Sequence, residues 1–334
     1  MQLDQILLAV AIAAYVTGAL VMLAYFLSRS PLALRIGIPL AIVGCAAQFA
    51  ELGARWAISG IWPLTNLYGS LSLFSAMGVL IFLIFAFRYA VWFAGGFVLL
   101  IAAIALGYAT TWNEGFMPPV PALQSYWIKI HVPLVVSAYA SFMLSFVVSV
   151  LYLIKYYYEQ RFAGGSAVRA AAATPAGSIP VTVSTFAALD ESSVAESEER
   201  GLRVGTPRGD TPGIAAAAQN GNAVAQWLAT LPSLAKLDVM TYRIIGVGLP
   251  LLTIGIITGA MWAKESWGAY WQWDPKETAA LLSWIVYAGY MHLHTRNAWR
   301  GVRSAWLSIF GFATIMFCYL GVNIWISGLH SYKV

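Results

Sequence analysis

Residues 267–277 read Trp267-Gly268-Ala269-Tyr270-Trp271-Gln272-Trp273-Asp274-Pro275-Lys276-Glu277. Three tryptophans and a tyrosine fall within seven positions, and a charged Asp-Pro-Lys-Glu run closes them. Apolar stretches flank the segment on both sides, so it reads as a loop at a membrane surface. An aromatic belt is the ordinary reason for tryptophan and tyrosine at that depth. Such belts rarely gather three tryptophans in one short loop, and the sharper reading is a flat, porphyrin-like ligand.

Working outward, the rest of the chain has the composition of a membrane protein. Of 334 residues, 60% are hydrophobic and 10% are charged, which predicts an all-α polytopic membrane protein rather than a soluble domain. Apolar runs long enough to cross ~30 Å of hydrocarbon lie near 5–27, 36–54, 69–87, 90–109, 132–154, 243–262, 279–297 and 304–326, about eight transmembrane helices. Arg88 splits the run 69–109 into a helical hairpin. The first run lacks a basic leader and a small-residue cleavage site, so it is expected to be a true span.

Basic residues near span ends orient the chain. With the N-terminus outside, Arg29, Arg35, Arg88, Lys155, Arg161, Lys236, Arg243, Arg296, Arg300 and Arg303 fall inside, and Arg55, Lys129, Lys264, Lys276 and Lys333 outside. Ten against five places both termini and the tryptophan-rich loop on the outer face. The expected organisation is a first span (1–32), an N-terminal membrane half (33–157), a cytoplasmic linker (158–235) and a C-terminal membrane half (236–334) whose loop occupies 263–278. The linker is rich in Ala, Ser, Thr, Gly and Pro, buries little apolar surface and is expected to be disordered. Its last part, around Trp227 to Leu237, has the pattern of a short interfacial helix.

Cys45 and Cys318 form no metal spacing, and without a Cys-x-x-Cys-His motif the chain carries no covalent c-type haem of its own. The +5 charge gives no reason to expect nucleic acid as a partner. Among four histidines, His131 precedes span five and His330 follows span eight, both on the side of the tryptophan-rich loop. Each alone reads as a headgroup contact; two converging on one aromatic loop read as axial ligands for iron. His292 and His294 lie near the inner end of span seven, roughly 200° apart around a helix, so only one can face an interior site, and His294 is the better candidate. Asp274, Pro275 and Glu277 stand as N-cap, first position and third position of a helix. Lys129, Lys264 and Lys276 are either surface charges or partners for a ligand's carboxylates. The outer loop 61–71, with Trp62, Pro63, Asn66 and Tyr68, reads as structural support.

The Trp-rich loop, its continuation T-A-A-L-L-S-W…H-L-H-T-R, the preceding L-L-T-I-G-I-I-T-G-A-M-W-A, the upstream W-P-L-T-N-L-Y and the final G-L-H-S-Y occur in one order. Together they resemble the WWD-signature family of CcsA (ResC-type) components of the system II cytochrome c synthase, over about 34–157 and 236–334. The resemblance implies transport of haem b through the membrane. It also implies covalent attachment of that haem to Cys-x-x-Cys-His motifs of apocytochrome c on the outer face, with a CcsB (ResB-type) membrane partner. It implies His131 and His330 as paired outer iron ligands, His294 as the intramembrane histidine, and His131, His330 and Asp274 as the catalytic set. Trp267, Gly268, Tyr270, Trp271, Trp273, Asp274, Lys276 and His294 are then the haem-contacting candidates; the long Ala-rich linker favours a bacterial cytoplasmic membrane over a plastid one. Two rivals remain: a haem transporter or chaperone serving a separate attachment protein, and a bis-histidine electron-transfer cytochrome. Four histidines do not supply the two intramembrane pairs the latter expects.

Overall fold

A computed structural model of the chain describes residues 2–28, 31–113, 115, 118–173 and 222–326. Among these the secondary structure is helical throughout, with no strand. Helices α1 (Leu3–Ser28), α2 (Pro31–Ser59), α3 (Leu67–Tyr89), α4 (Gly95–Thr110) and α5 (Ile128–Ala173) come first. The short α6 (Ala223–Leu228) precedes α7 (Leu234–Trp267), α8 (Pro275–His294) and α9 (Val302–Met316). A π-helical turn (Phe317–Gly321) joins α9 to α10 (Val322–Trp325). Seven helices or helix pairs are long and apolar enough to cross a membrane. The eighth expected span, α8, forms a 20-residue helix, but Lys276, Glu277, His292 and His294 dilute its apolar character below that of the other seven.

Local sequence sets the helix ends. Asn66 caps α3, its Oδ1 accepting from the Gly69 amide at 2.9 Å. Gly69 is needed there because a Cβ would lie 1.7 Å from the Pro63 carbonyl oxygen. The hairpin between α3 and α4 turns at Ala90, which takes φ 57° beside Arg88. α8 opens on the expected capping box: Asp274 accepts from the Lys276 amide at 2.9 Å, and Glu277 reaches back to the Asp274 amide at 3.3 Å. α5 runs through Ala173, past residue 158, where composition predicts the disordered linker to begin. An Ala-rich segment that continues an existing helix needs no new nucleus and has high propensity. The remainder of the linker, 174–221, and His330 lie outside the described residues.

The chain divides into two compact units, residues 1–154 with 234–334, and residues 155–233. In the second, Lys155 is buried and donates to the Leu231 and Pro232 carbonyls at 3.0 and 3.1 Å. In the first, α5 is the most enclosed span, with 78% of its apolar window buried against 33% for α1 and α2. Glycines let α7 approach α5 closely: a Cβ at Gly248 would meet Phe142 at 2.8 Å, and one at Gly255 would meet Val135 at 2.6 Å. Tyr287 of α8 stacks on Phe142 at 3.7 Å, and Phe312 of α9 stacks on Phe146 at 4.8 Å.

One buried polar cluster was not legible beforehand. Arg55, read from sequence as an outer surface charge, is only 6% exposed. It lies 3.5 Å from Asp4 of α1 and 3.8 Å from Glu51, and its guanidinium sits over Tyr68. Tyr68 and Ser72 of α3 both donate to Glu51, at 2.7 and 3.1 Å. The cluster ties the first three helices together, and with buried Arg55 and buried Lys155 both removed from the surface count the charge asymmetry becomes nine against four.

Candidate functional site

Successive helices run in alternate directions, so one end of the bundle collects the start of α3, the start of α5, the end of α7, the start of α8 and the π turn. A cavity of about 530 Å³ opens among these segments, within the ~300–1,000 Å³ range of cofactor and small-molecule sites. His131, Tyr270, Trp271, Lys276, Cys318 and Asn323 are among its walls, with Leu64 to Leu67 and Ser70 from the loop before α3 and the first turn of α3. Tyr319 bridges the two halves of the sequence here, donating to Ser70 Oγ at 3.1 Å. The loop read as structural support thus forms part of the wall.

His131 is held on two sides. Its Nδ1 lies 2.7 Å from the Gly255 carbonyl oxygen. A carbonyl only accepts, so Nδ1 carries the proton and the lone pair is on Nε2. Among the described residues Nε2 makes no hydrogen bond. Trp262 stacks against the ring at 6.1 Å, at 18° between planes. Gly259 provides the space, since a Cβ there would sit 2.7 Å from His131 Cε1. This is a neutral, oriented imidazole on a cavity wall, the form in which histidine ligates metal.

The tryptophan-rich loop is ordered by its own backbone. Gly268 takes φ 81° at the end of α7, and Lys264 Nζ donates to its carbonyl at 2.8 Å. Gln272 N and Asp274 N both donate to Glu277 Oε2. Trp271 faces the cavity and packs edge-on to Trp273 at 5.7 Å. Trp273 itself has φ 56° and is 70% exposed, a backbone state of order ~1–3 kcal/mol less favourable for a bulky residue. Trp267 packs edge-on to Trp262 at 4.7 Å. Trp267, Gly268, Trp273 and Asp274 shape the loop without lining the cavity, whereas His131, Tyr270, Trp271 and Lys276 do line it. Lys276 donates to Asn323 Oδ1 at 2.8 Å, so one of the three candidate cations is at the cavity. Lys264 instead lies against Gly268 and the Tyr270 ring, and Lys129 is exposed.

His294 sits at the opposite end of α8, away from this cavity. It is buried, at 6% exposure, while His292 is exposed. Its Nε2 is 3.0 Å from Asp238 Oδ2 of α7, and the ring lies between Tyr242 at 4.6 Å and Tyr290 at 5.6 Å. Sequence reasoning missed Asp238, Asn323 and Gly259. Asp238 alone carried a signal, as an acid in the first turns of the helix that leads into an apolar run.

Eight long helices, with an aromatic and imidazole-bearing cavity at one end, define a polytopic membrane protein. The chain belongs to the cytochrome c assembly protein family, whose model matches residues 64–330. It is 34% identical over 291 residues to the cytochrome c biogenesis protein CcsA of Heterosigma akashiwo (strain NIES-293 / 8280G21-1), covering 85% of this chain and 80% of that one. It is 38% identical over 293 residues to the CcsA of Microcystis aeruginosa (strain NIES-843 / IAM M-2473), covering 85% and 83%. Among solved structures it resembles the cytochrome c haem lyase CcmF, with a TM-score of 0.57 at 16% identity. That likeness concerns the fold; it covers 95% of this chain and 46% of the other.

Proposed function

We propose that this protein acts in cytochrome c biogenesis by carrying haem b through the membrane and holding it at the outer cavity for covalent attachment to apocytochrome c. The observation that carries this reading is the His131 Nε2 lone pair on a cavity wall shared with Tyr270, Trp271 and Lys276. The donor set suits haem: a neutral imidazole for iron, aromatic rings for the macrocycle, and an ammonium for a carboxylate. His330 is the proposed second axial ligand at this site and His294 the ligand of an inner one. A CcsB (ResB-type) membrane protein is the proposed partner, and the outer face of a bacterial cytoplasmic membrane is the proposed location of the tryptophan-rich loop.

In the attachment reaction a cysteine S–H adds across a haem vinyl group. Sulfur bonds one vinyl carbon, the proton ends on the other, and nothing leaves. The reactive groups belong to haem and apocytochrome. The chain's contribution is orientation: one ring face fixed against aromatic side chains, and the edge presented to the incoming thiols.

The test is expression with and without a ResB-type partner, beside a Cys-x-x-Cys-His reporter, in a host lacking cytochrome c maturation. Haem that remains on the denatured reporter only when both proteins are present supports the reading. Haem that copurifies with this chain while the reporter stays empty, even with the partner, replaces it with a transporter. Full reporter haemylation by the His131→Ala/His330→Ala protein refutes the ligand assignment.

A further inference from the structure

Asp238 lies one turn inside α7, in a helix whose next long stretch is apolar. A carboxylate in that setting is retained only when its oxygens are satisfied. One oxygen meets His294 Nε2 at 3.0 Å, and the other accepts from the Gly301 amide at 3.1 Å. Gly301 holds φ 83°, and a Cβ there would strike the Tyr152 hydroxyl at 2.7 Å. Arg300 Nε donates to the His294 carbonyl at 3.1 Å. Tyr242 stands four residues after Asp238 and Tyr290 four before His294, so helical spacing brings both rings against the imidazole. The Tyr290 hydroxyl is buried and has no hydrogen-bond partner among the described residues. The pair is therefore a built polar site, with a spare donor, at the end of the bundle away from the outer cavity.

We propose that Asp238 is the positioning residue of the inner haem site, holding His294 in one tautomer and one orientation through its Nε2–H. The inference rests on the reading of His294 as an inner haem ligand. A carboxylate can accept that proton but not donate one, which leaves the imidazole lone pair on Nδ1, where no hydrogen bond occurs among the described residues. Carboxylate partners of ligating histidines fix the ring and raise its basicity, and their loss lowers metal affinity about 10- to 100-fold. The negative charge also stabilises the oxidised iron, so its removal raises the midpoint potential.

The experiment uses the full chain carrying His131→Ala and His330→Ala, so that inner-site haem is read alone, with haem b as the probe. Asp238→Ala is expected to weaken haem retention about 10- to 100-fold. Asp238→Asn keeps an acceptor oxygen but not the charge, and is expected to retain haem at a raised midpoint potential. Wild-type retention in Asp238→Ala, or an unchanged potential in Asp238→Asn, overturns the positioning role. His294→Ala in the same background separates the two ideas. If it keeps its haem, the inner-ligand reading itself fails; if it loses haem while Asp238→Ala does not, only the role of Asp238 fails.

Discussion

Replacing Gly259 with alanine tests the outer site without replacing any group proposed to meet haem. The new Cβ would lie 2.7 Å from His131 Cε1, 2.9 Å from Nδ1 and 3.4 Å from Nε2. Ordinary carbon contacts are ~3.5 Å or more, so the imidazole must retreat by roughly 0.8 Å. Its bond to the Gly255 carbonyl starts at 2.7 Å; that retreat takes it to about 3.5 Å, outside hydrogen-bond range. Overpacking costs about 1–3 kcal/mol and the lost bond about 0.5–1.5 kcal/mol, while alanine regains about 1 kcal/mol of helix propensity. The bundle therefore survives while the imidazole loses its orientation. The expected result is haem loading reduced roughly 10- to 100-fold, read from the Soret band per chain after purification, with helical content unchanged. Gly289→Ala is the control: it lies inside α8 and a Cβ there meets nothing within 4 Å. Unaltered loading and spectrum in Gly259→Ala would refute the claim that a tightly confined His131 holds the ligand.

Asp274 separates capping from chemistry: Asp274→Asn retains a good cap and is expected to keep reporter haemylation, whereas Asp274→Ala loses about 0.5–2 kcal/mol of helix stability, read as a lower melting temperature. Lys276→Met removes the cavity ammonium and its bond to Asn323; haem retention is expected to fall several-fold, with a smaller fall for protohaem dimethyl ester, whose carboxylates are masked. Arg55→Leu strands Asp4 and Glu51 as unpaired buried acids and is expected to destabilise the bundle by about 3–5 kcal/mol, measured as loss of membrane-inserted protein. Lys129→Leu, at an exposed cation, is the comparison and should change yield little.

What could be read beforehand divides by distance along the chain. The capping box of Asp274 and Glu277 was legible because its atoms lie three residues apart. The helix series was legible because hydropathy is a property of contiguous residues, and α8 escaped the apolar count only through its charged ends. His131 and Trp271 were legible as residue types, and alternating helix direction placed both at one end. Gly255 and Gly259 carried no signal, since their importance lies in a face of α5 more than a hundred residues away. Arg55 was misread for the same reason: nothing near it in sequence announces Asp4 or Tyr68 as neighbours. Asp238 and His294 are 56 residues apart, and only the fold shows that one holds the other. Composition judges a segment in isolation, so it gave no sign that α5 continues through Ala173.

Among the described residues, the walls of the outer cavity come from 64–139 and 252–323. None of these described wall residues lies between 155 and 233. For these walls the interval is needed only as a covalent connection, which raises the local concentration of one half around the other. The molecule is thus divisible in principle. Two polypeptides cut within the interval contain between them every described wall residue, and what the cut removes is the entropic advantage of being one chain.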